Sequence, residues 1–309
     1  MNDVSHLQQM NSSRSVTGAK LLVGVMGLAW GFNWVATRII LQALPPWTMR
    51  SVGVGLGALV LLTAAAILRT PLAVPRGDRL KILTAGFFNV AIFNVCSAYA
   101  QVYGTTSRAV VIAYSMPIWA SLLAWLLLKE RLTPLKVTAL LLCAAGLAIL
   151  VWPLAQDGLP LGALFALGCA WSWAAGTIYL KVARLRTPTL VATFWQLLFG
   201  FVMLIAGMLA FEGLPHLWPL PAHVMAWIGY NGLIGMGLTY FIWFVVVDKL
   251  PTMTASIGSL LVPVVGVIGS ALVNGERPDL SDGIGFALIF AAAASVLLQP
   301  NVRHDELPE

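Results

Sequence analysis

The sequence predicts an all-α polytopic membrane protein, with ten transmembrane helices arranged as two inverted five-helix repeats. Three observations lead there. Only 10% of the 309 residues are charged and 59% are hydrophobic, whereas soluble domains carry about 25% charged residues. The apolar residues gather in runs of about 20, the length that crosses a bilayer as a helix. A segment near the middle of the chain recurs near its end at a constant offset. With 18 basic and 12 acidic side chains, a body of this size cannot be coated for water, which excludes a soluble enzyme.

Residues 1–16 are polar and aperiodic and read as a cytoplasmic tail. They are not a cleaved leader, because the next apolar run is full length and lacks a small-residue cleavage site. Helices are then expected over 18–41, 47–68, 80–102, 107–128, 134–152, 160–181, 189–211, 222–247, 252–273 and 282–299. Pro45-Pro46, Pro71, Pro134, Pro188 and Pro251 punctuate the joints, as helix breakers do. The first repeat covers 17–153, the second 160–300, and a short tail follows over 301–309.

Basic residues set the orientation. With a cytoplasmic N-terminus, 14 of the 18 fall inside and 4 (Arg38, Arg50, Arg108 and Arg277) fall outside. Cytoplasmic loops carry the basic excess, so both termini are expected in the cytoplasm of a bacterial inner-membrane protein. The basic residues lie between apolar runs rather than in a patch. The expected partners are therefore the bilayer and a small-molecule solute, not nucleic acid, with the chain acting as a monomer. Cys96, Cys143 and Cys169 lie inside apolar runs and indicate no disulfide framework. The four histidines sit at the termini or in one loop, so neither a metal site nor a cofactor is expected.

The repeat is read from two segments. Residues 109–131 (AVVIAYSMPIWASLLAWLLLKER) align with 255–277 (ASIGSLLVPVVGVIGSALVNGER) at an offset of 146. Ala109, Pro117, Glu130 and Arg131 thereby match Ala255, Pro263, Glu276 and Arg277. A weaker echo pairs Ala29-Trp30 with Ala170-Trp171. Five helices per half is an odd number, so the second half enters the membrane inverted. Inverted repeats with a substrate site near the midplane are a signature of secondary transporters.

The run Ala29-Trp30-Gly31-Phe32-Asn33-Trp34, the Pro117 helix ending Lys129-Glu130-Arg131-Leu132-Thr133-Pro134, and its copy ending Gly275-Glu276-Arg277 resemble the EamA-type drug/metabolite transporter superfamily. The resemblance covers roughly 20–299. It implies a ten-helix carrier whose central cavity is formed mainly by spans 1, 3, 4, 6, 8 and 9. The second copy departs from the first where Pro278-Asp279 replaces Leu132-Thr133. The aromatic content is similar to that of YddG-type exporters of aromatic amino acids.

The middle turns of the predicted spans contain no Asp, Glu, Lys, Arg or His. Glu130, Asp248 and Glu276 sit at span ends, where they read as end caps or partners of nearby basic groups. A dedicated proton relay and an intramembrane hydrolase are both disfavoured, since the latter needs an activated nucleophile or a metal. Neutral polar and aromatic residues remain. Trp30, Asn33, Trp34 and Thr37 share one helical face, as do Asn94, Ser97 and Gln101. Ser172, Gly176 and Tyr179 form another stripe with Trp171 beside it. Tyr114 lies one turn before Pro117; Tyr240 and Trp243 lie in the eighth span.

Trp47, Trp152, Trp218 and Trp227 read as interface anchors; Trp30, Trp119, Trp171 and Trp243 lie deeper. Asn33 and Asn94 must face protein or a wet cavity, because an amide in lipid is unsatisfied. Gly53 and Gly57 form a GxxxG that allows close packing. Pro117 and Pro263 each remove one helical hydrogen bond and are candidate hinges, or else static kinks. The candidate substrate-binding set is Trp30, Asn33, Asn94, Gln101, Tyr114, Trp171, Tyr240 and Trp243. Amino acids, aromatic ones first, are the expected cargo. A carrier of drugs, hydrophobic cations or nucleoside-like metabolites is the alternative, and a channel or membrane enzyme a more distant one.

Overall fold

Proline determines where several helices begin. The computed structural model describes residues 22, 24–129, 133–156, 160–215, 219–242 and 252–297, with side chains at all of these except 154, 155, 252–260, 296 and 297. Pro45, Pro75, Pro188 and Pro221 stand immediately before helices with ψ between 140° and 155°. Their rings fix φ near the helical value and leave no N–H to satisfy. In chain order the helices are α1 (24–40), α2 (Pro46–Ile67), α3 (Arg76–Val102), α4 (Thr106–Leu128), α5 (Pro134–Gln156), α6 (Leu161–Ala183), α7 (Thr189–Phe211), α8 (222–242), α9 (Thr252–Val273) and α10 (Leu280–Leu297). No strand occurs among the described residues.

Six of these helices, α2 to α7, are long and apolar enough to cross a membrane, and Leu261–Val273 and Leu280–Ser295 are shorter apolar stretches. The chain is an all-helical, multi-pass membrane protein. Helix α3 begins four residues before the expected position 80, because Pro75 starts the turn.

Two departures from regular α-helix stand out. Phe87–Ile92 within α3 and Tyr230–Leu238 within α8 are π-helical. Each extra residue rotates the following side chains by about 100° relative to a continuous α-helix. The two begin directly after Gly86 and Gly229, which are 143 residues apart.

Helix ends are held by partners far away in sequence. Glu212 accepts hydrogen bonds from the backbone N–H groups of Trp47 and Thr48 (both 2.8 Å) and from the Thr48 hydroxyl (2.8 Å), at the start of α2. Asp78 accepts from the N–H groups of Arg186 (2.8 Å) and Thr187 (3.0 Å), just ahead of α7, and from the Thr187 hydroxyl. Such carboxylates satisfy orphan amides and oppose the positive end of the helix dipole. At C-terminal ends, Arg69, Lys129 and Arg184 adopt left-handed φ of 52°, 55° and 45°. This costs a non-glycine residue about 1–2 kcal/mol, while a cationic side chain there complements the dipole. Gly213 and Gly275 serve the corresponding turns after α7 and α9.

Helix α5 packs on α10, α2 on α7 and α8, α3 on α6 and α7, and α4 on α6 and α9. Helix α1 is laid against α8 by three hydrogen bonds: Trp30 Nε1 donates to the Gly235 carbonyl (3.0 Å), the Tyr230 hydroxyl to the Ala29 carbonyl (2.9 Å), and Asn231 Nδ2 to Asn33 Oδ1 (2.8 Å). Only glycine fits at 235, since a Cβ there would fall on the Asn33 amide. One apolar core joins Trp34, Ala100, Val110, Leu150, Ala166, Val262 and Ile289; a second joins Val54, Leu61, Val90, Leu197, Leu204 and Met236.

Candidate functional site

Between these helices lies a cavity of about 270 Å³. Helix α1 lines it with Trp30, Asn33, Trp34 and Thr37, α2 with Arg50, α3 with Phe93 and Ser97, α4 with Tyr114, Met116, Pro117 and Ala120, α6 with Trp173 and Thr177, and α8 with Met236 and Tyr240. The volume is near the small end for ligand pockets, which run from about 300 to 1,000 Å³. Trp30 meets Tyr240 edge to face, with ring centroids 5.6 Å apart, and Phe93 tilts against Trp173 at 5.1 Å. Rings dominate the wall, with polar atoms of Asn33, Thr37, Ser97 and Arg50 set among them.

The local fold explains these positions. The Thr37 hydroxyl donates to the Asn33 carbonyl one turn earlier (2.8 Å), and Asn231 occupies Asn33 Oδ1. Asn33 is therefore oriented by α8 while still facing the cavity. Helix α4 is interrupted at Tyr114 and Ser115 and restarts at Met116 with Pro117 in its first turn, a position proline favours. Pro263 instead sits inside the continuous α9. The two prolines thus match in sequence but not in local structure. Pro263 lines a second, apolar pocket of about 270 Å³ with Val111, Val267, Phe286 and Ile289. Tyr114 lies on the wall of both pockets.

Of the residues anticipated from sequence, the structure brings Trp30, Asn33, Tyr114 and Tyr240 together around the cavity, with Pro117 beside them. Asn94 and Gln101 are fully buried nearby but do not line it. Asn94 Nδ2 donates to the Val90 carbonyl of its own helix (2.8 Å), and its Oδ1 has no hydrogen-bond partner. Gln101 belongs to a polar seal described below. Trp171 departs from the expectation: it is 40% exposed and packs on Trp119 at 5.0 Å, away from the cavity. Trp173, two residues on, occupies the wall. Trp243 lies outside the described residues, as do Glu130, Asp248 and Trp218.

The seal joins the ends of α1, α3 and α9 and the start of α10 to the start of α4. Glu276 accepts hydrogen bonds from the backbone N–H groups of Thr106 (2.6 Å) and Ser107 (2.9 Å) and from the Ser107 hydroxyl. The Ser107 and Ser270 hydroxyls lie 2.9 Å apart. The Thr106 hydroxyl donates to Gln101 Oε1 (3.2 Å) and accepts from Asn274 Nδ2 (3.4 Å). Arg108 Nε reaches Asp282 at 2.5 Å, and Arg38 donates to the Gln101 carbonyl. Burial pushes the Glu276 carboxyl up, but the hydrogen bonds from Ser107 and Thr106 outweigh it and hold it below the usual carboxylate range. Glu276 is thus an end cap of α4, one of the roles its position suggested.

Sequence reasoning missed Arg50 and Trp173. Arg50 lies one turn into α2 and is assigned by its position to a span end; the structure buries it (3% exposed) on the cavity wall. Helix α2 therefore joins the lining, whereas α9 supplies none of the described lining residues. The π-helical segments were missed too, although each follows a glycine at a matching position, Gly86 and Gly229, and carries an asparagine within its first three residues. Asn89 in the first is pressed against Gly176, and Asn231 in the second against Gly53 and Asn33.

Comparison with known proteins gives these features a context. The chain is 25% identical to the uncharacterized transporter YoaV of Bacillus subtilis over 87% of its length and 94% of that protein's. It is 25% identical to the uncharacterized inner membrane transporter YedA of Escherichia coli, covering 88% of each chain. It is 24% identical to a probable amino-acid metabolite efflux pump of Salmonella typhimurium, over 85% of this chain and 89% of the other. A crystal structure at 23% identity superposes with a TM-score of 0.62, over 90% of this chain and 95% of that one, a likeness of fold alone. The EamA-like transporter family matches twice, over residues 18–152 and 160–298. The chain belongs to the EamA-like transporter family.

Proposed function

We propose that this transporter is an alternating-access exporter of small amphipathic metabolites across the bacterial inner membrane, with amino acids, aromatic ones first, as its cargo. In this reading it has ten spans in two inverted halves, with both termini in the cytoplasm. The observation that carries the reading is the cavity itself. It draws on α1 to α4 and on α6 and α8, so it lies between the two family matches, where inverted-repeat carriers bind substrate. Its rings suit stacking on an aromatic or apolar body, and its small volume disfavours drug-sized molecules. The pairing of α5 with α10 and α2 with α7, and the π-helical segments 143 residues apart, support the two-fold arrangement. The printed name of the Salmonella relative supports an amino-acid-like cargo.

The test is uptake of a labelled amino-acid panel into proteoliposomes, with and without a pH gradient. Saturable, trans-stimulated uptake of at least one aromatic amino acid is expected. A flux that neither saturates nor responds to trans substrate would indicate a channel, and no uptake of any panel member would refute the cargo assignment.

A further inference from the structure

Among the described cavity-lining residues, Arg50 carries the one formal charge. Its side chain is buried, its Nε has no hydrogen-bond partner, and no carboxylate among the described residues forms an ion pair with it. Among the described residues, the ion pairs lie at helix ends, on Asp78, Asp279 and Asp282. An uncompensated buried charge is strongly unfavourable. It persists where something outside the chain completes it. At the corresponding position 143 residues on, α7 carries Thr193, so the charge belongs to one half of the molecule only.

We propose that Arg50 anchors the carboxylate of the transported solute, with the aromatic wall taking its apolar body. The guanidinium fork matches a carboxylate's two oxygens. One positive charge matches one carboxylate, whereas a phosphate near two negative charges would be left half compensated. A hydrophobic cation would place like charges together and is selected against. Asn33, Thr37 and Ser97 are the remaining polar groups available to an ammonium or hydroxyl on the same solute. This inference rests on the cavity being the transport site.

The test uses full-length protein as wild type, Arg50→Gln and Arg50→Lys at equal amounts. Binding of labelled L-phenylalanine in detergent and its uptake into proteoliposomes are each competed with hydrocinnamate, which has a carboxylate and no ammonium. Phenethylamine, the converse, and inorganic phosphate are the other competitors. In wild type, hydrocinnamate should compete and phenethylamine and phosphate should not. Arg50→Gln should weaken phenylalanine and hydrocinnamate roughly 10- to 100-fold and leave phenethylamine unchanged, while Arg50→Lys stays within about tenfold of wild type. The ligand-free Tm of Arg50→Gln should equal or exceed that of wild type.

Carboxylate binding lost in Arg50→Gln but never accompanied by uptake would uphold the anchor and refute the transport reading. Uptake that ranks competitors without regard to the carboxylate, or equally in wild type and Arg50→Gln, would uphold transport and refute the anchor. Phosphate competing as well as hydrocinnamate would also refute it, and a marked fall in Tm for Arg50→Gln would assign Arg50 to structure. No binding of either carboxylate to wild type overturns both.

Discussion

The cavity and the seal beside it are built from similar material but treated in opposite ways. In the seal, Glu276, Thr106, Ser107, Gln101 and Asn274 satisfy one another across three helices. In the cavity, Arg50 Nε has no partner, and the hydroxyl-bearing Tyr114 and Tyr240 stand among apolar rings. Completed networks rigidify a fold; an uncompleted one in a pocket is a place for a ligand. The contrast separates residues that keep the helices together from residues that we propose meet the solute, and it can be tested on both sides.

The largest effect is expected in the seal. Glu276→Ala removes the acceptor for two backbone amides and a hydroxyl at the start of α4. It should cost roughly 2–4 kcal/mol, read as lost folded yield and a lower Tm, with Glu276→Gln milder because one acceptor oxygen remains. Next comes the α1–α8 seam. Gly235→Ala would drive a methyl into the Asn33 amide and should cost about 1–3 kcal/mol as overpacking. It should also weaken substrate affinity by displacing Asn33 from the wall. Gly24→Ala, where a Cβ meets nothing within 4 Å, is the control and should be silent in both assays.

The smallest effect concerns pH. A carboxyl held below its ordinary value contributes stability that is complete above the unfolded pKa of about 4.3. That contribution disappears as pH falls through the lower folded value. The contribution of Glu276 should therefore be constant across neutral pH and lost only in acid, and Glu276→Gln should leave the shape of the transport pH profile unchanged between about pH 6 and 8. A profile that shifts in this range on Glu276→Gln, at equal expression, would identify the residue as a proton carrier.

Much of the helix pattern was legible because proline and hydropathy act locally: Pro45, Pro134 and Pro188 mark starts whatever the helices pack against, whereas Pro75, which was not read as a joint, moved the start of α3. The inward face of α1 was legible as well, since Trp30, Asn33, Trp34 and Thr37 recur at helical spacing and all reach the cavity. The exchange of Trp171 for Trp173 shows the limit. Two residues at about 100° each point to opposite sides of a helix, and the stripe containing Ser172 and Gly176 packs into the protein rather than onto the cavity. Both of those residues are buried. Arg50 was obscured by its proximity to a helix start, where a basic residue ordinarily meets headgroups. Nothing in a single sequence says that the cavity extends to that depth. The stripe of Asn94, Ser97 and Gln101 is split: Ser97 reaches the cavity, while Asn94 turns back to the Val90 carbonyl and Gln101 is taken up by Thr106, so both are buried beside the cavity rather than in its wall.

The most direct test of the distinction is a pair of tryptophans on one helix. Trp173 lines the cavity against Phe93, and Trp171 packs on Trp119 at the exposed surface. Losing a stacking ring costs about 0.5–1.5 kcal/mol beyond burial, so Trp173→Ala should weaken apparent affinity for a transported aromatic amino acid roughly tenfold. Trp171→Ala should remain within about twofold of wild type, with both variants at equal protein in proteoliposomes. Equal losses at the two positions, or a larger loss at Trp171, would contradict the assignment of this cavity as the place where the solute binds.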